Sequence, residues 1–519
     1  MELTDIRSGL SGFTEELTSQ TYKSTFRVQG RDSLLADTLG TRANSIWKMA
    51  QYIVATYDNK DGTPLESYLS GWSKLVKNYK DQFLIIEVDS EHHWQMYDAN
   101  CQLLGDEQFI KELFNKKSKK KNIEKTDVSI RPYLSALRTK PFVLLAGISG
   151  TGKSRIVRKL AQATNSKKYA KEEDRWNDNR PDNFELIQVK PNWHNSMDVV
   201  GFYSVSKRYE FTPFVRFIVK AWQHLDTPYF LCLDEMNLAP VEEYFAEFLS
   251  AIESRSKDEN GEYITDPIIK PFYEFGKNTC EAMLKDLFGE AHYTEFNALA
   301  QQFTDKGLTL PRNLMVMGTV NMDETTFTFS RKVLDRAMSM EMNEVDYDDF
   351  LSGKTETMPI LTEFNSLLVD RPQKASEVKY EIEADKVIDY LKDVNALLDG
   401  TPFKLGYRAA NEAMLYVSAG QDFGQNDISK ALDEFTLMKI LSRIEGDDSR
   451  LSLNETDERI ANAGINATEL LEGEETNPNL LHGLRAIVRK HIVINSMTEK
   501  KINAMLKTLE REHFVSYWN

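Results

Sequence analysis

The chain has 519 residues, too many for one ordinary domain and enough for roughly three or four units that each bury a core. Lys+Arg 64 against Asp+Glu 80 leave a net charge of −16, which excludes a surface that is a nucleic-acid platform throughout and confines polyanion contact to local basic patches. Three cysteines, Cys101, Cys232 and Cys280, are odd in number and lack metal-ligand spacing, and no apolar run is long enough to cross a bilayer, so a reducing, cytoplasmic setting is expected.

Residues 1–122 read as a separate N-terminal α/β recognition module. Apolar positions recur at helical spacing over 46–57, and the runs 83–88 and 94–97 predict a β-hairpin. His92 and His93 are adjacent, so on a strand they point to opposite faces and read as a solvated hairpin end rather than a metal pair. Lys116, Lys117, Lys119, Lys120 and Lys121 form the one dense basic run. With no interleaved aromatics it reads as a solvated linker, phosphate-backbone contact being the alternative.

Residues 123–345 carry the strongest motif. Gly147-Ile148-Ser149-Gly150-Thr151-Gly152-Lys153-Ser154 fits G-x-x-x-x-G-K-[ST], follows the apolar strand-like run 142–146, and opens a stretch with Ile156, Leu160 and Ala163 at helical spacing. The glycines let backbone N–H groups approach phosphate oxygens at a helix N-terminus. Lys153 is expected on the β and γ phosphates, with Thr151 in the loop and Ser154 on Mg²⁺.

A second strand is predicted at 184–189, followed by a loop with the aromatics Phe202 and Tyr203 at the strand edge where α/β sheets meet ligands. The apolar run 229–233 ends in Asp234 and Glu235. Asp234 is placed to hold the Mg²⁺ shell and Glu235 to orient a lytic water. One helix is predicted over 241–253, with Val241, Phe245, Phe248 and Ile252 on one stripe. Residues 254–311 read as a charged, irregular insertion with some helix. A further core strand, 314–321, ends in Asn321, placed for the γ-phosphate or the water, and Arg336 follows fifteen positions on.

Residues 346–519 read as a helical lid and C-terminal helices. Helical spacing is kept through Val387, Leu391, Val394 and Leu398, from Gly406 toward Tyr416, and over 435–444. Residues 446–477 are acidic and polar and read as containing a mobile loop. Ser496 and Glu499 match a capping box for a last helix with Ile502, Met505, Leu506 and Leu509 on its apolar face.

Phosphate loop, Asp-Glu strand end, Asn321, a following arginine and a helical lid together resemble the AAA+ ATPases over about residues 126–519. More closely, Leu-Asp-Glu-Met-Asn-Leu-Ala at 233–239, Gly-Thr-Val-Asn-Met-Asp-Glu at 318–324 with Val-Leu-Asp-Arg-Ala at 333–337, and Gly-Tyr-Arg at 406–408 look like the McrB-like branch. That branch supplies the NTP-dependent motor subunits of modification-dependent restriction systems. The resemblance implies an α/β P-loop core with a parallel sheet flanked by helices, a helical lid, Mg²⁺, and a ring, usually hexameric, with nucleotide at subunit interfaces. It further implies Asn321 as sensor 1, Arg336 as an arginine finger acting on a neighbour, Arg408 as sensor 2, and DNA and a nuclease subunit as partners.

Each assignment has a plainer alternative: Asn321 as a strand cap, Arg336 as an ion-pair partner of Asp335, and Arg408 as a stem packed on the lid. The restriction motor's own signature has Met before the asparagine and Thr-Ala-Asp after it. Here Val320 precedes and Met322-Asp323-Glu324 follows, which favours ATP over GTP. No nuclease signature stands out, so cutting would fall to another subunit. The rival readings are a MoxR-like or midasin-like protein-remodelling ATPase and a nucleotide-gated scaffold; intact Lys153, Asp234, Glu235 and Arg336 count against the scaffold.

Overall fold

A computed structural model describes residues 130–519 apart from 207, 259–260, 291–295, 323–328, 344–346, 348–350, 352–357, 455–456, 467–469, 471–477, 493 and 519, together with four strands in the preceding part of the chain. The chain divides into two units, Met1–Lys125 and Thr126–Asn519.

In the first unit β1 (Glu15–Glu16), β2 (Phe83–Val88), β3 (Trp94–Asp98) and β4 (Leu103–Asp106) form a sheet in that order. β2 and β3 are antiparallel with Val88 opposite Trp94, the hairpin that the two apolar runs predict. The helical pattern at 46–57, His92, His93, Cys101 and the lysine run lie outside the described residues.

The second unit begins with α1 (Arg131–Thr139), β5 (Phe142–Gly147), α2 (Lys153–Thr164) and β6 (Phe184–Gln188). A short hairpin of β7 (Phe202–Tyr203) and β8 (Tyr209–Glu210) then leads to α3 (Pro213–Trp222), β9 (Tyr229–Asp234), α4 (Val241–Tyr244) and α5 (Ala246–Glu253). The hairpin β10 (Ser256–Lys257) and β11 (Tyr263–Ile264), α6 (Lys277–Phe288) and α7 (Asn297–Lys306) follow, then β12 (Leu314–Asn321), α8 (Arg331–Leu334) and β13 (Met338–Glu341). Five strands form one parallel sheet in the order β13-β5-β12-β9-β6. Apolar runs suit this position: β5 is buried along its whole length and β9 everywhere but Asp234, as expected where helices cover both faces.

Two local expectations are corrected. The predicted single helix over 241–253 breaks at Phe245, which leaves helical dihedrals at φ −108° and ψ 13°. Its ring stacks on Phe248 at 4.4 Å and meets Phe214 at 5.6 Å, so the bend seats three rings in the core under Phe142. The stretch 254–311, read as a charged, irregular insertion with some helix, does carry helix in α6 and α7, but it is built into the core rather than set apart from it. Phe272, Phe288, Phe303 and Leu308 are buried in the same cluster as the sheet, with Phe288 and Phe303 stacked at 5.8 Å.

The C-terminal region is helical: α9 (Ala384–Leu397), α10 (Tyr407–Asp422), α11 (Ile428–Phe435) with a π-helical turn at Thr436–Ile440, α12 (Leu480–His491) and α13 (Met497–Glu512). The stretch read as containing a mobile loop opens in strand β14 (Glu445–Asp447), paired antiparallel with β15 (Phe514–Ser516), and its residues 455–456, 467–469 and 471–477 lie outside the described residues. Ser496 caps α13 by accepting from the Glu499 N–H at 3.1 Å, but the Glu499 carboxylate takes the Asn495 N–H rather than completing the box. No helix among the described residues is long and apolar enough to cross a membrane.

Candidate nucleotide site

Strand register gathers the polar residues at one edge of the sheet. Asn321 lies opposite Gly147 on β5, and Gly318 lies opposite Leu233, which brings the ends of three neighbouring strands together. Ligands of open α/β sheets sit beyond such carboxyl ends.

The loop after β5 needs its glycines. Gly150 and Gly152 have φ of +86° and +83°, which side chains with a Cβ rarely adopt, and at Gly147 a Cβ would run into the Met342 carbonyl and sit 2.6 Å from Asn343 Oδ1. α2 starts without a side-chain cap and without an acidic residue in its first turn, so its N–H groups and partial positive charge face the loop. Asn343 Oδ1 accepts the Ile148 N–H at 2.9 Å, tying the loop to the end of β13.

Lys153 Nζ donates to the carbonyls of Gly147 at 2.9 Å and Ile148 at 2.6 Å. Burial pulls its pKa down, opposed by the charges of Asp234 and Glu235. Ser154 Oγ is 2.5 Å from Asp234 Oδ1. A hydroxyl and a carboxylate side by side are the hard oxygen donors that Mg²⁺ takes, the ion keeping waters and phosphate oxygens as its other ligands, so these two residues fit that ion. No cluster of three or more His, Cys, Asp or Glu fit for a metal occurs among the described residues.

Glu235 has φ 54° and ψ 51°, left-handed for a non-glycine residue. Its N–H donates to Thr319 Oγ1 at 2.9 Å, and the Thr319 hydroxyl donates to Asp234 Oδ1 at 2.8 Å. Asn321 Nδ2 donates to Glu235 Oε1 at 3.1 Å. Lys153, Ser154, Asp234, Glu235 and Asn321 thus stand together, as their motifs predict. Thr319 was given no role from the sequence. Its signal was available: Thr319 and Asn321 are two apart on a strand and share a face.

Arg336 and Arg408 are not brought to this edge. Arg336 lies two residues before β13, whose Met338 pairs with Val143, while Gly147 is four residues further, about 13 Å at the rise of a strand. Arg408 is ion-paired with Glu253, whose other oxygen holds Lys140 Nζ at 3.1 Å just before β5 begins. Both arginines therefore stand at the strand-entry end of the sheet, away from their own phosphate loop. Asp335 pairs not with Arg336 but with Arg443, at 2.8 Å. Phe202 and Tyr203 are exposed on the β7–β8 hairpin. Cys232 and Cys280 are free and buried, and burial pushes the Cys232 thiol far up.

A five-stranded parallel sheet of this order, flanked by helices and carrying a glycine loop beside an Asp-Glu strand end, defines an AAA+ type P-loop nucleotide-binding domain. Residues 142–277 match the AAA domain of the dynein-related subfamily, and residues 360–514 match a domain of unknown function, DUF8727. No curated protein matches the chain. A similar solved structure, a candidate ATPase from Cytophaga hutchinsonii, is 15% identical, with a TM-score of 0.36, over 63% of this chain and 86% of that one.

Proposed function

We propose that the protein is an ATP-hydrolysing AAA+ motor subunit that assembles into a ring. The observation that carries this reading is the chain of contacts Ser154–Asp234–Thr319–Glu235–Asn321 around the phosphate loop. In it Lys153 neutralises phosphate charge, Ser154 and Asp234 hold Mg²⁺, and Glu235, oriented by Asn321, positions the attacking water. The bound ion supplies Lewis-acid stabilisation of the phosphate oxygens. Arg336, remote from its own loop, acts on the nucleotide of a neighbouring copy, which makes the site a shared one, while Arg408, held by Glu253, has no contact among the described residues that supports a sensor 2 role.

The finer reading is a McrB-like subunit driving a separate nuclease on DNA, supported by the residue runs at 233–239, 318–324, 333–337 and 406–408. The match to the dynein-related subfamily favours a second reading, a MoxR-like remodelling ATPase that acts on proteins. Steady-state hydrolysis of ATP and GTP with and without duplex DNA tests both. ATP turnover stimulated by DNA is expected. Turnover indifferent to DNA would pass the role to the remodelling reading, and absence of turnover with either nucleotide would remove the motor altogether.

A further inference from the structure

The segment that bears Arg336 is held by charged residues of the C-terminal helical region. Lys439, in the π-helical turn, is fully buried, and its Nζ lies 3.2 Å from the Leu334 carbonyl, 3.0 Å from that of Asp335 and 2.8 Å from that of Ala337. These are the residues on both sides of Arg336. A lysine in that position satisfies the carbonyl of Leu334 at the end of the four-residue helix α8 and those of Asp335 and Ala337 just beyond it. It is itself balanced by Glu412 of α10, at 2.9 Å, and the other oxygen of Glu412 takes Lys140 Nζ at 2.6 Å. Arg443 reinforces the same segment through Asp335 at 2.8 Å, and Arg331 at its start reaches the Pro402 carbonyl at 3.3 Å and Glu445 at 3.4 Å. Every partner that 331–337 finds here in the C-terminal region lies within the stretch that matches the domain of unknown function.

Burying a lysine and a glutamate away from water is unfavourable unless both find partners, and an apolar pair of similar volume would often be at least as stable. Stability alone therefore gives this cluster no reason to be ionic. A charged amine reaching three consecutive-turn carbonyls does something that an apolar side chain cannot: it fixes the backbone on which Arg336 stands, and it fixes it relative to the helical region.

We propose that Lys439, balanced by Glu412, is a positioning residue for Arg336, so that the C-terminal helical region sets whether that arginine can complete a neighbouring copy's nucleotide site. The proposal rests on the shared-site reading above. Movement of α10 and the π-helical turn carries the carbonyls of 334–337 with it, and a displacement on the order of 1 Å at an arginine that must meet a transferring phosphoryl group costs about 10²-fold in rate.

The test uses the full-length protein and the double variant Lys439→Met/Glu412→Gln, which removes one charge of each sign and leaves Lys140 its partner Glu253. Nucleotide affinity and KM for ATP are expected to stay at the wild-type level, while kcat falls about 10²-fold. Co-expression with Glu235→Gln subunits, which have a dead water-orienting site but an intact Arg336, is expected to restore turnover at mixed interfaces; co-expression with Arg336→Ala subunits is not. The single variant Lys439→Met serves as a second readout of the same split should the double variant fail to fold. Wild-type kcat in a folded Lys439 variant, or restoration by Arg336→Ala subunits, overturns the positioning role while leaving the shared site intact. Wild-type turnover by Arg336→Ala alone instead overturns the shared-site reading and the proposal with it.

Discussion

Glu235 sits in the left-handed region at φ 54° and ψ 51°, a conformation that costs about 1 kcal/mol for a residue with a Cβ and persists where neighbours over-determine it. Here the neighbours are Thr319, which takes its N–H, and Asn321, which donates to its carboxylate. The carboxylate is thus held by groups of the chain itself. Glu235→Gln should bind ATP normally yet lose about 10²- to 10⁴-fold in turnover, because the carboxylate acts on water and not on the ground state. Lys153→Ala should instead weaken binding itself. Isothermal titration beside steady-state rates separates the two, and undiminished turnover in Glu235→Gln would remove that residue from the chemistry. Thr319→Val deletes the hydroxyl shared by Asp234 and the Glu235 N–H and should lower turnover about tenfold, with Thr319→Ser restoring it. A wild-type rate in Thr319→Val would show that the shape of the side chain suffices without its hydroxyl. The loop, Asp234 and Glu235 were legible because each motif is contiguous. Thr319 was legible only as a residue on the same face as Asn321, because its partner Asp234 is set by the register of β12 against β9, a relation between residues some 85 apart.

At the scale of elements, the buried Glu412 links α10 to the turn holding Lys439 and to Lys140 before β5. Burial alone would raise its carboxyl pKa, but Lys140 and Lys439 outweigh that and bring it from 4.5 to about 2. A depressed carboxylate contributes stability above its unfolded value of 4.5, and that contribution is lost as pH falls from there toward about 2. The gap corresponds to about 3 kcal/mol. Lys439 has the opposite sign: burial lowers it from 10.5 to about 8 against the pull of Glu412, so its penalty is present below about 8 and fades as pH rises toward 10.5. Urea midpoints followed by circular dichroism should therefore fall more steeply for wild type than for Glu412→Gln between pH 4.5 and the acid limit. Parallel curves would deny the carboxylate this part. In sequence, Glu412 and Lys439 look like ordinary charges on helical faces, and nothing local distinguishes them from solvated ones. The stretch 254–311 misleads in the converse way: Phe272, Phe288 and Phe303 belong to three short elements, and their common burial is purely tertiary. Arg408 likewise carries a recognisable motif, but its contact with Glu253 joins positions 155 apart.

At the scale of the whole molecule, the chain divides at Lys125/Thr126, and among the described strands no sheet draws on both sides of that division. β1 to β4 pair only with one another, while the five strands of the parallel sheet all come from residues 142–341. A sheet that borrows no strand across a boundary needs no hydrogen bonds from the other side, so each unit satisfies its own ladder. Every residue assigned to the nucleotide site, and the whole Lys140–Glu412–Lys439 cluster, belongs to the second unit. Under the proposed reading, target recognition is assigned to the first unit, with the lysine run at 116–121 close to the boundary in sequence. A protein spanning residues 126–519 should accordingly fold, bind ATP and hydrolyse it at a basal rate near that of the full chain, while losing any stimulation by DNA. Limited proteolysis of the full chain should cut first between about residues 115 and 127, where the sequence is polar and lysine-rich. Basal hydrolysis lost together with DNA response would mean that the first unit completes the nucleotide site. Basal hydrolysis kept with stimulation unchanged would place DNA recognition in the ring itself, on the exposed Phe202 and Tyr203 hairpin or another face of the second unit.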